Sequence, residues 1–143
     1  MKLSTELEFS TDRSRLDVSL IHRVLSDSYW AANIPLETLQ TSIDHSLCYG
    51  VYQGGEQVAF ARVITDQATF AYLADVFVIA ERQGEGIGKA LVQYILADDR
   101  MAAVRRFCLA TRDAHSLYES FGFKRFTDVD KDRFMQIRRV TRY

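Results

Sequence analysis

Apolar positions recur along this chain at two different spacings, and the switches between them outline its elements. Leu16, Leu20, Ile21, Val24 and Leu25 fall three to four residues apart, which predicts a first helix. A second short helix is expected to start near Pro35, whose fixed φ suits a first turn, and the aromatic pair Tyr29-Trp30 lies between the two. From Leu47 to Tyr52 the chain is apolar and aromatic, Gly54-Gly55 supplies a tight turn, and Gln57 to Ile64 returns as a second strand. A third strand is predicted from Thr69 to Ile79, running into the glycines Gly84, Gly86 and Gly88.

Helical spacing resumes directly after those glycines. Ile87, Ala90, Leu91, Tyr94 and Ile95 share one face and Lys89, Gln93 and Asp98 the other, as expected of a helix packed on a sheet. A buried-looking strand, Phe107-Cys108-Leu109-Ala110, follows, and then a helix with Ala114, Leu117, Tyr118 and Phe121 on one stripe, closed by Gly122. Phe123 to Phe126 and Phe134 to Val140 are expected to form two closing strands. This order of elements predicts an α/β or α+β domain in which a hairpin feeds one long strand and helices cover the sheet. No repeat, low-complexity tract or Pro/Gly/Ser linker interrupts it, so residues 1–143 are expected to form one domain.

Composition narrows the function classes. With 48% hydrophobic and 26% charged residues the chain lies in the range of folded globular proteins. A net charge of -1 supplies no global positive field, so no nucleic-acid partner is expected. The basic residues Lys124, Arg125, Lys131, Arg133, Arg138, Arg139 and Arg142 are interrupted by Asp128, Asp130 and Asp132, the pattern of a solvated mixed-charge face. No apolar run reaches membrane-spanning length and the N-terminus is acidic where a secretory signal is apolar, so no membrane association and a cytoplasmic location are expected. Cys48 and Cys108 lack the spacing of redox or zinc motifs and are expected to be small buried hydrophobes, and His22 and His45 lack ligand-spaced companions, so no metal is expected.

The chemistry concentrates at Arg82-Gln83-Gly84-Glu85-Gly86-Ile87-Gly88-Lys89. Glycines between a strand and a helix let backbone N–H groups converge, and the helix's unpaired first-turn amides and positive dipole end favour an anion there. A tight packing turn is the competing interpretation. The spacing is not G-x-G-x-x-G and lacks a G-K-[ST] ending, which argues against dinucleotide and nucleoside-triphosphate loops.

In this context the sequence resembles the GNAT superfamily of N-acetyltransferases, whose acyl-CoA signature Q/R-x-x-G-x-G/A is matched by Gln83, Gly86 and Gly88. The family's later A-x-x-L-Y-x-x-x-G-F element is matched by Ala114, Leu117, Tyr118, Gly122 and Phe123. The resemblance spans the domain from the first helix onward. It implies the GNAT fold, with a mixed, largely antiparallel central sheet flanked by helices and splayed at the acyl-CoA site, and transfer of an acetyl group from acetyl-CoA to a primary amine of a small molecule or peptide by direct attack. A non-catalytic acyl-CoA-binding sensor or interaction module is the alternative.

Residue by residue, the resemblance implies that the backbone of Val76, Phe77 and Val78 pairs with the pantetheine arm and that the amides of Gln83, Gly84, Glu85, Gly86, Ile87, Gly88 and Lys89 hold the pyrophosphate. Thr111 stands where the family often carries an asparagine that bonds the cofactor, and Glu85 is an acid in a turn that binds phosphates; both are departures. Tyr118 is the implied acid that protonates the departing thiolate, and Asp75 is a candidate base, with a water relay as the other route. His115 adjoins Tyr118 in sequence but differs from it in helical phase. Tyr29 and Trp30 are the candidate acceptor-binding residues. A homodimer is left open as the oligomeric state.

Overall fold

The computed structural model describes residues 6–143. Its centre is a five-stranded sheet in the order β1-β2-β3-β4-β5, formed by Glu8–Ser10, Leu47–Gln53, Glu56–Thr65, Phe70–Val78 and Arg106–Leu109. The first four strands are antiparallel and β5 joins β4 in parallel. The β2–β3 hairpin turns on Gly54 and Gly55, both at positive φ (59° and 82°), the conformation a two-residue turn demands. The predicted mixed, largely antiparallel sheet is therefore present, extended by a three-residue β1 too short to be legible in the sequence.

Strand alternation divides the core between the two faces of the sheet. On one face Tyr49, Val51, Ala59, Ala61 and Val63 meet Ile87, Leu91 and Ile95 of α3 (Ile87–Leu96). On the other, Cys48, Phe60 and Phe77 meet Ile21 and Leu25 of α1 (Val18–Ser26) and Leu39 and Ile43 of α2 (Leu36–Asp44). Each such buried aliphatic side chain contributes about 1.5–3 kcal/mol. Asp17 caps α1 by accepting from the Leu20 amide, and Pro35 sits one place before the first turn of α2, at its N-cap. Both cysteines are free and buried, and burial pushes the Cys48 thiol up to about 11, so it stays protonated.

Beyond β5 the structure departs from expectation. Short helices α4 (Asp99–Ala102) and α5 (His115–Glu119) flank β5, but neither 123–126 nor 134–140 forms a strand. Between them lies a third short helix, α6 (Asp128–Arg133), whose start is fixed by a capping box: Thr127 accepts from the Asp130 amide and Asp130 accepts from the Thr127 amide. The Thr-x-x-Asp spacing was the overlooked signal for that helix, which separates two segments that apolar alternation alone marks as strands. Among the described residues, no helix is long and apolar enough to cross a membrane.

Candidate functional site

Strand β4 carries an irregularity that shapes one side of the site. Its pairing with β3 shifts register between Phe60↔Phe77 and Arg62↔Ala74, so Asp75 and Val76 together oppose Ala61. Asp75 sits at φ 57°, a left-handed conformation that costs a non-glycine residue about 1–3 kcal/mol. Its carboxylate secures the bulge: Oδ2 accepts from Arg62 Nε at 2.8 Å and Oδ1 from Trp30 Nε1 at 3.0 Å. Arg62 also donates to Ser46 Oγ. Sequence reasoning passed over Arg62, although a lone charge inside the apolar run Val58-Ala59-Phe60-Ala61-Arg62-Val63-Ile64 signals a buried partner.

The bulge coincides with the end of the β4–β5 ladder. Pairing stops at Leu73↔Leu109, while β4 continues through Val76, Phe77 and Val78. The sheet therefore opens at that end, with the β5-facing edge of β4 left without a strand partner.

Past β4 a short 3-10 turn, Ala80–Arg82, leads into the glycines. Gly84 and Gly86 have φ of 82° and 83°, which only glycine adopts without strain, and Gly86 is the N-cap of α3. Ala90 makes the first amide bond of the helix, back to Gly86. Among the described residues, no amide from Gly84 to Lys89 donates to an acceptor in the chain, so this run of N–H groups converges on the positive end of α3. Side-chain atoms would meet nothing within 4 Å at Gly84 or Gly86, so the space in front of them is open. A diphosphate fits these donors.

Two flanking residues adjust this turn. Gln83 Nε2 donates to the Val78 carbonyl, tying the turn to the end of β4. Glu85 is clamped by Arg82 through two bonds of 3.0 and 3.1 Å, so its negative charge is countered beside these unpaired amides.

Tyr118 lies in α5, which Ala114 begins and Gly122 (φ 98°) terminates. Thr111 Oγ1 accepts from the Ala114 amide, so the residue in the asparagine position holds the start of this helix. Tyr118 is half-buried and packs edge-on against Phe123. Burial, with Tyr29 nearby, pushes its phenol above the ordinary tyrosine range and keeps it protonated. No described group hydrogen-bonds its hydroxyl, so that donor is available.

Tyr29 and Trp30 pack edge to face at 5.1 Å and stay exposed, at 55% and 45%. Arg112 stacks on Tyr29 with its guanidinium carbon 3.9 Å from the ring centroid. The sequence-predicted residues thus gather into two groups: the open strand edge with the glycine turn, and the aromatic patch of Tyr29 and Trp30 tied to Asp75 and adjacent to Tyr118. His115, half-buried, begins the same helix as Tyr118.

This architecture recurs in proteins already known. Residues 44–125 match the family model of the GNAT acetyltransferase domain. A candidate acetyltransferase from Gibberella zeae is 32% identical, with 85% of this chain and 81% of that protein aligned. The crystal structure of a protein from Xanthomonas campestris pv. campestris described as belonging to the GNAT family superposes with a TM-score of 0.87 at 50% identity, over 92% of this chain and 93% of that one. A candidate acetyltransferase from Clostridium acetobutylicum, solved with acetyl-CoA, shares the fold at a TM-score of 0.68 and 14% identity, over 93% and 96% of the two chains. The chain belongs to the GNAT acetyltransferase family.

Proposed function

We propose that this protein transfers the acetyl group of acetyl-CoA to a primary amine of a small molecule or peptide, by direct attack of the amine on the thioester. One observation supports this most: the unpaired amides from Gly84 to Lys89 lie at the end of a strand whose edge is also free. An extended, amide-rich arm suits the edge at Val76, Phe77 and Val78, and a diphosphate suits the helix N-terminus. Coenzyme A carries both groups in that order.

In this mechanism the backbone amide of Val76, at the bulge, stabilises the oxyanion of the tetrahedral intermediate, whereas Phe77 lies in register with Phe60 and directs its amide to β3. As that intermediate collapses the C–S bond breaks, the electron pair stays on sulfur, and the Tyr118 hydroxyl donates its proton to the thiolate. Both Asp75 oxygens are engaged by Arg62 and Trp30, which favours a positioning role for it; the amine proton then leaves to water. Tyr29 and Trp30 form the wall on which the acceptor packs, with one face of Tyr29 already taken by Arg112.

The test offers acetyl-CoA together with aryl amines, polyamines, amino acids and peptide lysines, and records free thiol. Release that depends on one class of amine is the expected result. Thiol release no faster than in the absence of any amine would overturn the proposal.

A further inference from the structure

Beyond Leu73↔Leu109 the two parallel strands part, β4 running on to Val78 and the chain after β5 running on through Arg112. A row of side chains crosses the gap just past the last paired residues. Asp75, on the bulge of β4, accepts from Trp30 Nε1 at 3.0 Å. Trp30 meets Tyr29 edge to face, and Arg112, on the β5 side, stacks on the Tyr29 ring. The loop between α1 and α2 is thereby tied to both sides of the split, beside Val76.

One charge in this row is committed and the other is not. Both Asp75 oxygens are engaged, by Trp30 and by Arg62, and the side chain is only 10% exposed, which leaves little for a substrate ammonium. Asp27, at the end of α1, lines the groove that holds Arg15 and Arg23. Arg112 is different. Its side chain is 65% exposed, and the carboxylate paired with it, on the neighbouring and equally exposed Asp113, lies at 4.0 Å, a pairing that contributes little.

Stacking on Tyr29 covers a face of the guanidinium and leaves the N–H donors at its edge. Among the described residues no acceptor is hydrogen-bonded to them. A planar fork already held over a ring loses little freedom on binding, and a carboxylate is its geometric match.

We infer that the acceptor is an amine that also carries a carboxylate, an amino acid with an apolar or aromatic side chain, and that Arg112 determines this choice. The carboxylate meets the edge of the Arg112 guanidinium, and the side chain packs on the exposed rings of Tyr29 and Trp30. Placing the acceptor here rests on the transfer reading above. Polyamines bring further positive charge to the same guanidinium and are disfavoured.

Trp30 is the single tryptophan of the chain, so its emission reports occupancy of this patch whether or not transfer follows. The probes are phenylalanine and phenethylamine, the same amine without the carboxylate. Each is titrated into wild type, Arg112→Gln and Arg112→Lys, with thiol release from acetyl-CoA recorded in parallel. Phenylalanine is expected to bind wild type at least about tenfold more tightly than phenethylamine, as one charge-assisted pair allows. Arg112→Gln should weaken phenylalanine about tenfold and leave phenethylamine within about twofold, and Arg112→Lys, which keeps the charge but not the fork, should restore part of the preference. Binding of phenylalanine that depends on Arg112 but yields no thiol supports the carboxylate site and overturns the transfer reading. No response of Trp30 to phenylalanine, equal binding of the two probes by wild type, or an Arg112→Gln variant that weakens both alike overturns the inference.

Discussion

Arg62 and Asp75 meet at 2.8 Å across the β3–β4 bulge, with side chains only 15% and 10% exposed. Asp75 also holds the Trp30 indole, so one carboxylate joins the bulged strand to the aromatic patch. Asp75→Asn strands the guanidinium without its anion and is expected to cost about 3 kcal/mol. The double variant Arg62→Met/Asp75→Asn should be more stable than Asp75→Asn alone, because the uncompensated charge is gone. Urea midpoints at constant slope measure both; a double variant no more stable than Asp75→Asn would show that the uncompensated guanidinium is not what destabilises the single variant.

Gly86 and Gly88 predict opposite outcomes for the same substitution. Gly86 sits at φ 83°, so Gly86→Ala should destabilise the fold by about 1–2 kcal/mol and weaken acetyl-CoA binding at least tenfold, since the turn's amides no longer converge. Gly88 lies inside α3, and a Cβ there would meet only Val78 Cγ2, at 3.7 Å. Gly88→Ala should therefore add about 0.5–1 kcal/mol of stability through helix propensity. Thermal melts with and without coenzyme A distinguish the two.

Tyr118→Phe removes the proton donor and little packing. Turnover should fall about 100-fold, at the low end for a general acid, with acetyl-CoA affinity unchanged within a few-fold. Because burial raises the Tyr118 phenol, any loss of rate from its ionisation should appear only above the ordinary tyrosine range. Equal turnover in both proteins would remove Tyr118 from the mechanism.

These predictions rest on features of unequal legibility. The hairpin, the glycine turn and the Ala114-to-Phe123 element were legible because each is local: turn residues and periodicity determine it within a few positions. The Asp75 bulge was not, since no neighbour of Asp75 in the chain demands a left-handed residue; the demand comes from Arg62 on β3 and from Trp30. The closing strands failed for a related reason. Alternation in 134–140 marks a segment fit for a sheet but does not say which edge it meets, and the Thr127–Asp130 capping box interposes a helix.

Asp98 should show itself in the acid stability of the fold. Its carboxylate is lowered to about 2, chiefly by the Arg100 hydrogen bond and further by the Tyr49 hydroxyl at 2.7 Å, against an opposing effect of burial. A depressed carboxylate stabilises the fold above its unfolded range near 3.8 and loses that contribution as pH falls toward 2. Arg100 is 41% exposed, so solvent screening keeps the expected contribution near ~1 kcal/mol. Asp98→Asn should be less stable than wild type at neutral pH, and the gap should narrow between pH 4 and pH 2; a gap independent of pH would contradict this.

The central claim is that the amides from Gly84 to Lys89, with the free edge of β4, bind acetyl-CoA. Calorimetric titration of the wild-type protein with acetyl-CoA, alongside ATP, measures it most directly. Saturable heat with the thioester and none with the nucleotide is the predicted result; no heat with acetyl-CoA would contradict the account.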